Sequence, residues 1–258
     1  MDDYLPTCEH AARAGGQVLL DWIGRFAARE KAPADLVTEA DVASQEEIRR
    51  ILLTAYPKHA FLGEEGSPMG PADAEYRWLV DPLDGTTNYV HQIPHYCVSV
   101  ALERQGELIC GVVYDPVSQE CFTAQAGRGA HRNGCKLAVS EVEQIDRAVV
   151  VVSLPPKMTP QSRELAEMLR MAVAAQAIRR TGSAALNLAY VAAGRFDAYW
   201  GGNTKPWDVA AGALLIHEAG GIITNYSGGP LDLNAPRFVA AATMPLHEQM
   251  LRLVGDKC

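Results

Sequence analysis

The sequence lacks an apolar run long enough to span a bilayer, and its first residues are acidic where a secretory signal would be basic and then apolar. It also lacks a C-x-x-C pair, because the six cysteines are scattered and several fall in apolar runs typical of strands. Cysteines placed in this way are more often buried free thiols than disulfides. We therefore expect a cytoplasmic protein without membrane segments and with reduced cysteines.

The sequence has fewer basic than acidic residues, with 23 Lys and Arg, 31 Asp and Glu, and a net charge of -8. This balance argues against nucleic-acid binding through bulk electrostatics, although it leaves room for a local basic patch. An acidic protein that acts on a phosphate must offset its own field near the substrate, and bound divalent cations could do so. The 258 residues, 48% of them hydrophobic, suffice for a large core in one domain or in two closely packed ones.

Hydrophobic periodicity predicts two N-terminal helices, at 5–28 and 40–55. An antiparallel region follows, with predicted strands at 78–80, 96–104, 107–114 and 120–124. After a seam at 140–147 strands alternate with helices, and the predicted helices are 160–175, 183–194 and 207–219. Such alternation implies a layered α/β arrangement. We therefore predict an N-terminal α+β half, residues 1–143, and a C-terminal α/β half, residues 144–258.

The most informative stretch is 81–88, which reads Asp-Pro-Leu-Asp-Gly-Thr-Thr-Asn and follows an apolar strand end at 78–80. Its two carboxylates can turn toward one point, since Pro82 restricts the backbone and Gly85 allows a turn close to a ligand. A helix that starts at the following threonine pair would add an anion site of free N–H groups. Carboxylates beside an anion site need cations between them, and Mg²⁺ binds carboxylates, water and phosphate together. The stretch predicts metal-assisted chemistry on a phosphate, with a simple Asp-capped turn as the alternative.

Further carboxylates recur at the ends of apolar elements. Asp41 opens the second helix, Glu64 and Glu65 end a short strand, and Asp208 opens the helix 207–219. An alternative for Asp41 and Asp208 is capping alone, because the helix dipole favours Asp in a first turn. Glu65 could touch a cation or only support Glu64.

Gathered into one site, Glu64, Asp81, Asp84 and Asp208 would hold two or three divalent cations. One cation lowers the pKa of a bound water, and another stabilises the leaving-group oxygen. A hydroxyl next to Asp41, for which Thr86 is the candidate, could orient that water and take its proton. No Cys, Ser or His nucleophile is then required.

Several segments resemble the signatures of the inositol monophosphatase family, whose members are lithium-sensitive, Mg²⁺-dependent phosphomonoesterases. These segments are 35–41, 63–65, 78–91, 180–185 and 207–212. Their order and spacing are highly specific, and the resemblance extends from about residue 10 to 245. It implies a layered αβαβα sandwich of the sugar-phosphatase type, a homodimer, and two to three Mg²⁺ ions in each site.

The resemblance also implies roles for the matching residues. The metal ligands would be Glu64, Asp81, the Leu83 carbonyl, Asp84 and Asp208, and Glu64 would also serve catalysis. Thr86, paired with Asp41, would activate the water. The phosphate and the alcohol portion of the substrate would be bound by Asp84, Gly85, Thr86, Gly182, Ser183, Ala184 and Asp208.

One position departs from the family's pattern. Inositol-preferring members have a Glu that contacts an inositol hydroxyl where this chain has Gly201. A site that lacks this carboxylate loses that discrimination unless Asn203 or a water compensates. We expect a Mg²⁺-dependent phosphomonoesterase that hydrolyses inositol 1-phosphate or a related small alcohol or sugar phosphate with a metal-activated water. The alternatives are a histidinol-phosphate or 3′-nucleotide phosphatase of the same superfamily, or a non-catalytic partner of the transcription machinery.

Overall fold

A computed structural model of the protein describes residues 3–32, 35–71, 73–155, 157–202 and 204–255. The helices in these ranges are α1 (Leu5–Trp22), α2 (Glu39–Ala55), α3 (Thr86–Val90), α4 (Arg163–Ala174), α5 (Ala184–Ala192), α6 (Pro206–Glu218) and α7 (Met244–Val254). Within the described residues, none of the helices is both long and apolar enough to cross a bilayer.

The larger sheet has seven strands in the order of the chain, and all neighbours are antiparallel except the first pair. They are β3 (Ala60–Gly63), β4 (Tyr76–Asp84), β5 (Cys97–Arg104), β6 (Glu107–Asp115), β7 (Glu120–Gln125), β8 (Ala130–Arg132) and β9 (Cys135–Lys136). A separate hairpin, β1 (Ala28–Ala32) with β2 (Asp35–Thr38), precedes it. The predicted antiparallel region is confirmed.

The smaller sheet has five strands in the order β11-β10-β12-β14-β13. They are β10 (Val149–Ser153), β11 (Ala177–Arg179), β12 (Ala198–Gly201), β13 (Ile222–Asn225) and β14 (Phe238–Ala241). Strands β10, β11 and β12 are parallel, and β14 lies antiparallel to β12 and β13. The alternation of strands and helices predicted for this part of the chain is therefore confirmed.

The helices are distributed over the sheets according to how much of their surface is apolar. Helices α5 and α6 are apolar on nearly all sides, and the eight residues from Val209 to Ile216 are all buried. Such helices need cover on both faces, and these two lie between the sheets in one shared core. The amphipathic α1 and α2 cover the outer face of the larger sheet, while α4 and α7 cover that of the smaller one. The predicted αβαβα sandwich is confirmed, whereas the division into two halves at residue 143 stays a prediction.

One predicted helix was too long, and one helix was not predicted. The helix predicted at 5–28 ends at Trp22, because Gly24 adopts a φ of 74°, a conformation that closes helices, and β1 begins at Ala28. Helix α7 was not predicted, although Thr243 caps it and Pro245 stands in its first turn. Cys8, Cys97, Cys110 and Cys121 are buried free thiols and Cys135 is an exposed one, while Cys258 lies outside the described residues.

Gly111 sets the distance between β6 and α6, since a Cβ there would lie 2.8 Å from the Ala211 Cα. We predict that Gly111→Ala lowers the free energy of unfolding by about 1–3 kcal/mol, because the helix must move away. Gly202→Ala is the matched control, since its Cβ would meet side-chain atoms of Arg237 at 3.5 Å and beyond. Urea unfolding of both variants measures the effect. Wild-type stability in Gly111→Ala would contradict the close approach of strand and helix.

Candidate metal-dependent active site

A β-bulge in β4 brings Asp81 and Asp84 to the same face of the sheet. Asp81 lies opposite Ser99 and Asp84 opposite Cys97, so three steps along β4 correspond to two along β5. Residues three apart in a regular strand point to opposite faces, and one extra residue reverses this. Pro82, which cannot donate to the ladder, stands inside the bulge. The bulge thus provides the convergence predicted for the two carboxylates.

The chain turns at Gly85 immediately after β4. Gly85 has a φ of 101°, and a Cβ there would lie 3.1 Å from the carbonyl oxygen of His95. Both observations require glycine at this position. Helix α3 then begins at Thr86, as predicted, so the N–H groups of Gly85 and Thr86 lie beside the two carboxylates.

Asp41 uses its two oxygens for different contacts. Its Oδ2 accepts hydrogen bonds from the Thr38 backbone N–H (2.9 Å) and the Thr38 hydroxyl (2.6 Å), which together cap α2. Its Oδ1 lies 3.3 Å from Thr86 Oγ1, and the same hydroxyl is 3.1 Å from the Leu83 carbonyl oxygen. Asp41 can therefore cap α2 and also orient the Thr86 hydroxyl, because each role uses a different oxygen of this buried carboxylate.

The Glu64–Glu65 loop is held by Gln45 of α2, a residue that the sequence did not single out. The Gln45 side chain accepts from the Glu65 N–H at 2.9 Å and donates to the Glu65 carbonyl. A Cβ at Gly63 would overlap Gln45, so glycine leaves room for this contact. The Glu64 N–H in turn donates to the Val80 carbonyl at 3.0 Å, one residue before Asp81.

Two helix N-termini complete the group of carboxylates. Asp84 Oδ2 accepts from the Ser183 hydroxyl and the Ala185 N–H, both at 2.6 Å, at the start of α5. Asp208 lies in the first turn of α6 and accepts from the Lys205 N–H at 2.8 Å. Ser99 of β5 donates to the Trp207 carbonyl at 3.0 Å and thereby ties this turn to the strand opposite Asp81.

The four carboxylates form one electrostatic cluster. Burial raises the pKa of Asp81 well above its ordinary value, and the nearby Glu64, Asp84 and Asp208 raise it further. Burial likewise raises the pKa of Asp208, with Asp84 and Glu64 adding to the effect. For Asp84, burial raises the pKa while the hydrogen bonds from Ser183 and Ala185 oppose it. Like charges held together away from water need positive charge between them.

The oxygen atoms of this cluster suit Mg²⁺, provided that water and phosphate supply further ligands. All four cluster members, together with the Leu83 carbonyl, offer oxygen, the ligand that a hard cation prefers. In the part of the chain that the structure describes, no three or more His, Cys, Asp or Glu side chains are arranged to hold a metal ion alone. A cation here would take water and substrate phosphate as further ligands, which is the usual way that Mg²⁺ is bound.

Asp84 and Asp208 line a cleft of about 380 Å³. Its other lining residues are Thr87, Asn88, Val152, Ser153, Leu154, Arg180, Thr181, Gly182, Ala184, Gly202 and Thr204. Gly182 and Ala184 thus line the same cleft as these two carboxylates, whereas Ser183 is fully buried and its hydroxyl donates to Asp84. A larger groove of about 710 Å³ elsewhere is lined by none of the predicted site residues.

Gly201, at the family's Glu position, ends β12 against an aromatic ring. A Cβ at Gly201 would lie 3.2 Å from Phe238, whose ring is fully buried. The ring therefore occupies the space that a side chain at this position would enter. Asn203, the residue considered as a substitute for the Glu, lies outside the described residues.

A model of the inositol monophosphatase family matches residues 2–257. The chain belongs to the inositol monophosphatase family. It is 46% identical over 210 residues to an inositol-1-monophosphatase of Rhizobium meliloti, covering 81% of this chain and 79% of that protein. It is also 42% identical over 251 residues to the Nus factor SuhB of Pseudomonas aeruginosa, covering 94% of this chain and 93% of that protein.

Solved structures of other family members share the fold. The extragenic suppressor protein suhB of Bartonella henselae superposes with a TM-score of 0.93 at 37% identity and covers 98% of both chains. An IMPase/NADP phosphatase complexed with Mg²⁺ and phosphate superposes with a TM-score of 0.84 at 27% identity, over 94% of this chain and 91% of that one. The family resemblance and the sandwich expected from the motifs are both confirmed.

Removing one carboxylate should stabilise the metal-free protein. The raised pKa of Asp81 means that the folded state binds more protons than the unfolded one, so its stability falls as the pH rises from about 4 through the raised pKa. At pH 7.5 in EDTA we predict that Asp81→Asn gains at least about 1 kcal/mol over wild type, and that the gain vanishes near pH 4. Asn keeps an acceptor for the Leu83 N–H, which lies 3.0 Å from Asp81 Oδ1.

Urea unfolding with EDTA, and again with Mg²⁺, measures this prediction. Mg²⁺ should stabilise wild type more than Asp81→Asn, because a ligand stabilises the state that binds it. The buried histidines contribute equally to the pH dependence of stability in both proteins, so their contribution cancels in the difference from wild type. A variant less stable than wild type in EDTA at pH 7.5 would show that the carboxylates do not repel one another.

Proposed function

We propose that the protein is a Mg²⁺-dependent phosphomonoesterase that hydrolyses small alcohol or sugar phosphates with a metal-activated water. The observation that supports this most directly is the cluster of Glu64, Asp81, Asp84 and Asp208, centred on the buried Asp81, beside the Asp41–Thr86 pair. A cluster of this kind has no evident structural use, since burying like charges costs free energy. The Mg²⁺ and phosphate in the related phosphatase structure agree with the proposal.

The chain's own residues would position and deprotonate the water. When bound, Mg²⁺ would lower the pKa of a coordinated water and offset negative charge on the phosphate. The two donors of Thr38 leave Asp41 Oδ1 as the acceptor for the Thr86 hydroxyl, so the Thr86 oxygen can accept the proton of a water. The water oxygen bonds to phosphorus, the P–O bond to the alcohol breaks, and the departing oxygen takes a proton from solvent.

The phosphate and the alcohol portion would occupy different parts of the site. Gly85 and Thr86 would present N–H groups to the phosphate at the start of α3. Gly182 and Ala184 would border the alcohol portion in the cleft. With Phe238 packed over Gly201, the alcohol portion meets no carboxylate at that position, so the site would not discriminate strongly for inositol over other alcohols. We further propose a homodimer, the assembly that the resemblance implies.

Phosphate release from a panel of monoesters, with Mg²⁺ and then with EDTA, tests the proposal. The panel holds inositol 1-phosphate, histidinol phosphate, fructose 1,6-bisphosphate, a 3′-phosphoadenosine compound and glycerol 2-phosphate. We expect turnover that requires Mg²⁺, with no more than a tenfold preference for the inositol ester. A hundredfold preference for inositol 1-phosphate would contradict the role given to Gly201. Absence of turnover on every ester by folded, Mg²⁺-loaded protein would contradict the phosphatase itself.

The Asp41–Thr86 pair can be tested separately from the metal cluster. Asp41→Asn and Thr86→Val should each lower kcat by about 10²–10⁴, the usual contribution of a general base. Thr86→Ser keeps the hydroxyl and should retain most of the activity. The Mg²⁺ concentration for half-maximal rate should stay near the wild-type value in all three. A Thr86→Val variant with wild-type kcat would exclude the hydroxyl from water activation.

A second candidate function is a role as a binding partner in transcription. It is favoured by the name of the Pseudomonas aeruginosa relative, a Nus factor, with which this chain shares nearly its whole length. Such a role would use a surface rather than the carboxylates. An Asp84→Asn variant that loses turnover but complements a deletion of the gene would support it, whereas failure to complement would favour the enzyme.

A further inference from the structure

A chain of polar side chains lies behind one wall of the cleft. Its two end members, Ser153 and Thr181, line the cleft, whereas its two inner members, Tyr199 and Asn187, are 0% and 1% exposed. Ser153 Oγ shares a 2.5 Å hydrogen bond with the Tyr199 hydroxyl, and Thr181 donates to Asn187 Oδ1 at 2.5 Å. Because the inner members are buried, they must find their hydrogen-bond partners among buried neighbours.

The amide of Asn187 sets the direction of these hydrogen bonds. Its Oδ1 accepts from Thr181, and its Nδ2 makes no close hydrogen bond with the described residues. Burial raises the pKa of Tyr199, and the neighbouring side chains of Ser153 and Asn187 lower it, which places the free end of the amide beside the phenol. An amide nitrogen can only donate. The Tyr199 oxygen is therefore the acceptor on this side, and its own proton is directed at Ser153.

This direction leaves Ser153 with a proton for the cleft. A hydroxyl carries a single proton, and the Ser153 oxygen already accepts the proton of Tyr199. The Ser153 side chain makes no other hydrogen bond with the residues that the structure describes, and it borders the cleft. Thr181 and Thr204 line the same cleft, but their protons are used within the protein, that of Thr204 on the Pro236 carbonyl at 2.9 Å. Ser153 thus offers a donor that these two threonines do not.

Ser153 stands beside the position where inositol-preferring members of the family have a Glu. It pairs with Gly201 across β10 and β12, and a Cβ at Gly201 would lie 3.6 Å from the Ser153 Cβ. An ionised carboxylate only accepts hydrogen bonds, whereas the Ser153 hydroxyl would donate one. The hydrogen-bonding character of this part of the wall is therefore reversed. It suits an oxygen that carries no proton, such as an ether, ring or carbonyl oxygen.

We propose that Ser153 is a specificity-determining residue whose hydroxyl donates a hydrogen bond to an acceptor oxygen on the alcohol portion of the substrate. This inference rests on the proposed phosphomonoesterase activity. It narrows the substrate class to phosphate esters whose alcohol carries an ether, ring or carbonyl oxygen. Ser153 acts on the choice of substrate and takes no part in activating the water.

The test compares 2-methoxyethyl phosphate with n-butyl phosphate, which have the same shape and differ by an ether oxygen in place of a CH₂. An ether oxygen accepts a hydrogen bond but cannot donate one, so the pair reports a donor on the protein. The quantity measured is the ratio of kcat/KM for the ether ester to kcat/KM for the butyl ester. Ser153→Ala should lower this ratio about three- to tenfold, the net contribution of one neutral hydrogen bond. The loss should fall mainly on the ether ester.

Three further variants separate this hydrogen bond from a general disturbance of the cleft. Ser153→Thr keeps the hydroxyl and should keep the wild-type ratio. Tyr199→Phe should keep it too, because Ser153 then loses only a hydrogen bond that it accepts. Thr204→Val is the matched control, since it removes a cleft hydroxyl whose proton is already bound to Pro236. Any loss of stability in Ser153→Ala, where the Tyr199 hydroxyl lacks its acceptor, affects both esters alike and cancels in the ratio.

Several outcomes overturn the inference. An unchanged ratio in Ser153→Ala would exclude the hydrogen bond to the substrate, and an equal fall in Thr204→Val would show a general disturbance instead. A ratio that rises in Tyr199→Phe would show that Ser153 donates to Tyr199 and that the chain runs in the opposite direction. Mg²⁺-dependent turnover of glycerol 2-phosphate with any of these results, or with no turnover of the ether ester, leaves the proposed function standing and removes only this inference. Absence of turnover on all three esters removes both.

Discussion

The repulsion among Glu64, Asp81, Asp84 and Asp208 is the constraint on which the rest of the site depends. Burial and the neighbouring carboxylates raise the pKa of Asp81 and of Asp208, and the fold must hold the four carboxylates together against that cost. The sandwich does so by bringing them from separate elements to one place. The bulge of β4 supplies two of them, the loop after β3 supplies the third, and the first turn of α6 supplies the fourth. The cluster is stable as a set of charges only with cations among them.

Helix α2 links the loops that carry these groups. Asp41 lies 3.3 Å from Thr86 Oγ1, Ser44 donates to the Pro82 carbonyl at 3.1 Å, and Gln45 brackets Glu65. The three residues are spaced at i, i+3 and i+4, so they share one face of the helix. The helix thereby fixes the water-activating pair relative to the bulge and the Glu64 loop. Sites supported in this way keep their geometry without substrate, which is the condition for electrostatic stabilisation of a transition state.

Local patterns in the sequence predicted the parts of the site that are encoded locally. The pattern of residues 81–88 predicted the two converging carboxylates, the turn at Gly85 and the start of α3. It could do so because proline restricts the backbone at its own position and glycine frees it. Gln45 and Ser99 were missed, since their partners lie 20 and 108 residues further along the chain. The β1–β2 hairpin was missed because Gly24 was treated as part of a helix. The family resemblance supplied the sandwich, which periodicity alone could not have specified.

Anomalous scattering from crystals grown with Mn²⁺ and inorganic phosphate tests the central claim most directly, because Mn²⁺ substitutes for Mg²⁺ at oxygen ligands and its anomalous signal locates it directly. We predict two or three anomalous peaks between the oxygens of Glu64, Asp81, Asp84 and Asp208, with the phosphate beside them near the N-terminus of α3. Phosphate bound without Mn²⁺, or Mn²⁺ bound away from these four side chains, would contradict it.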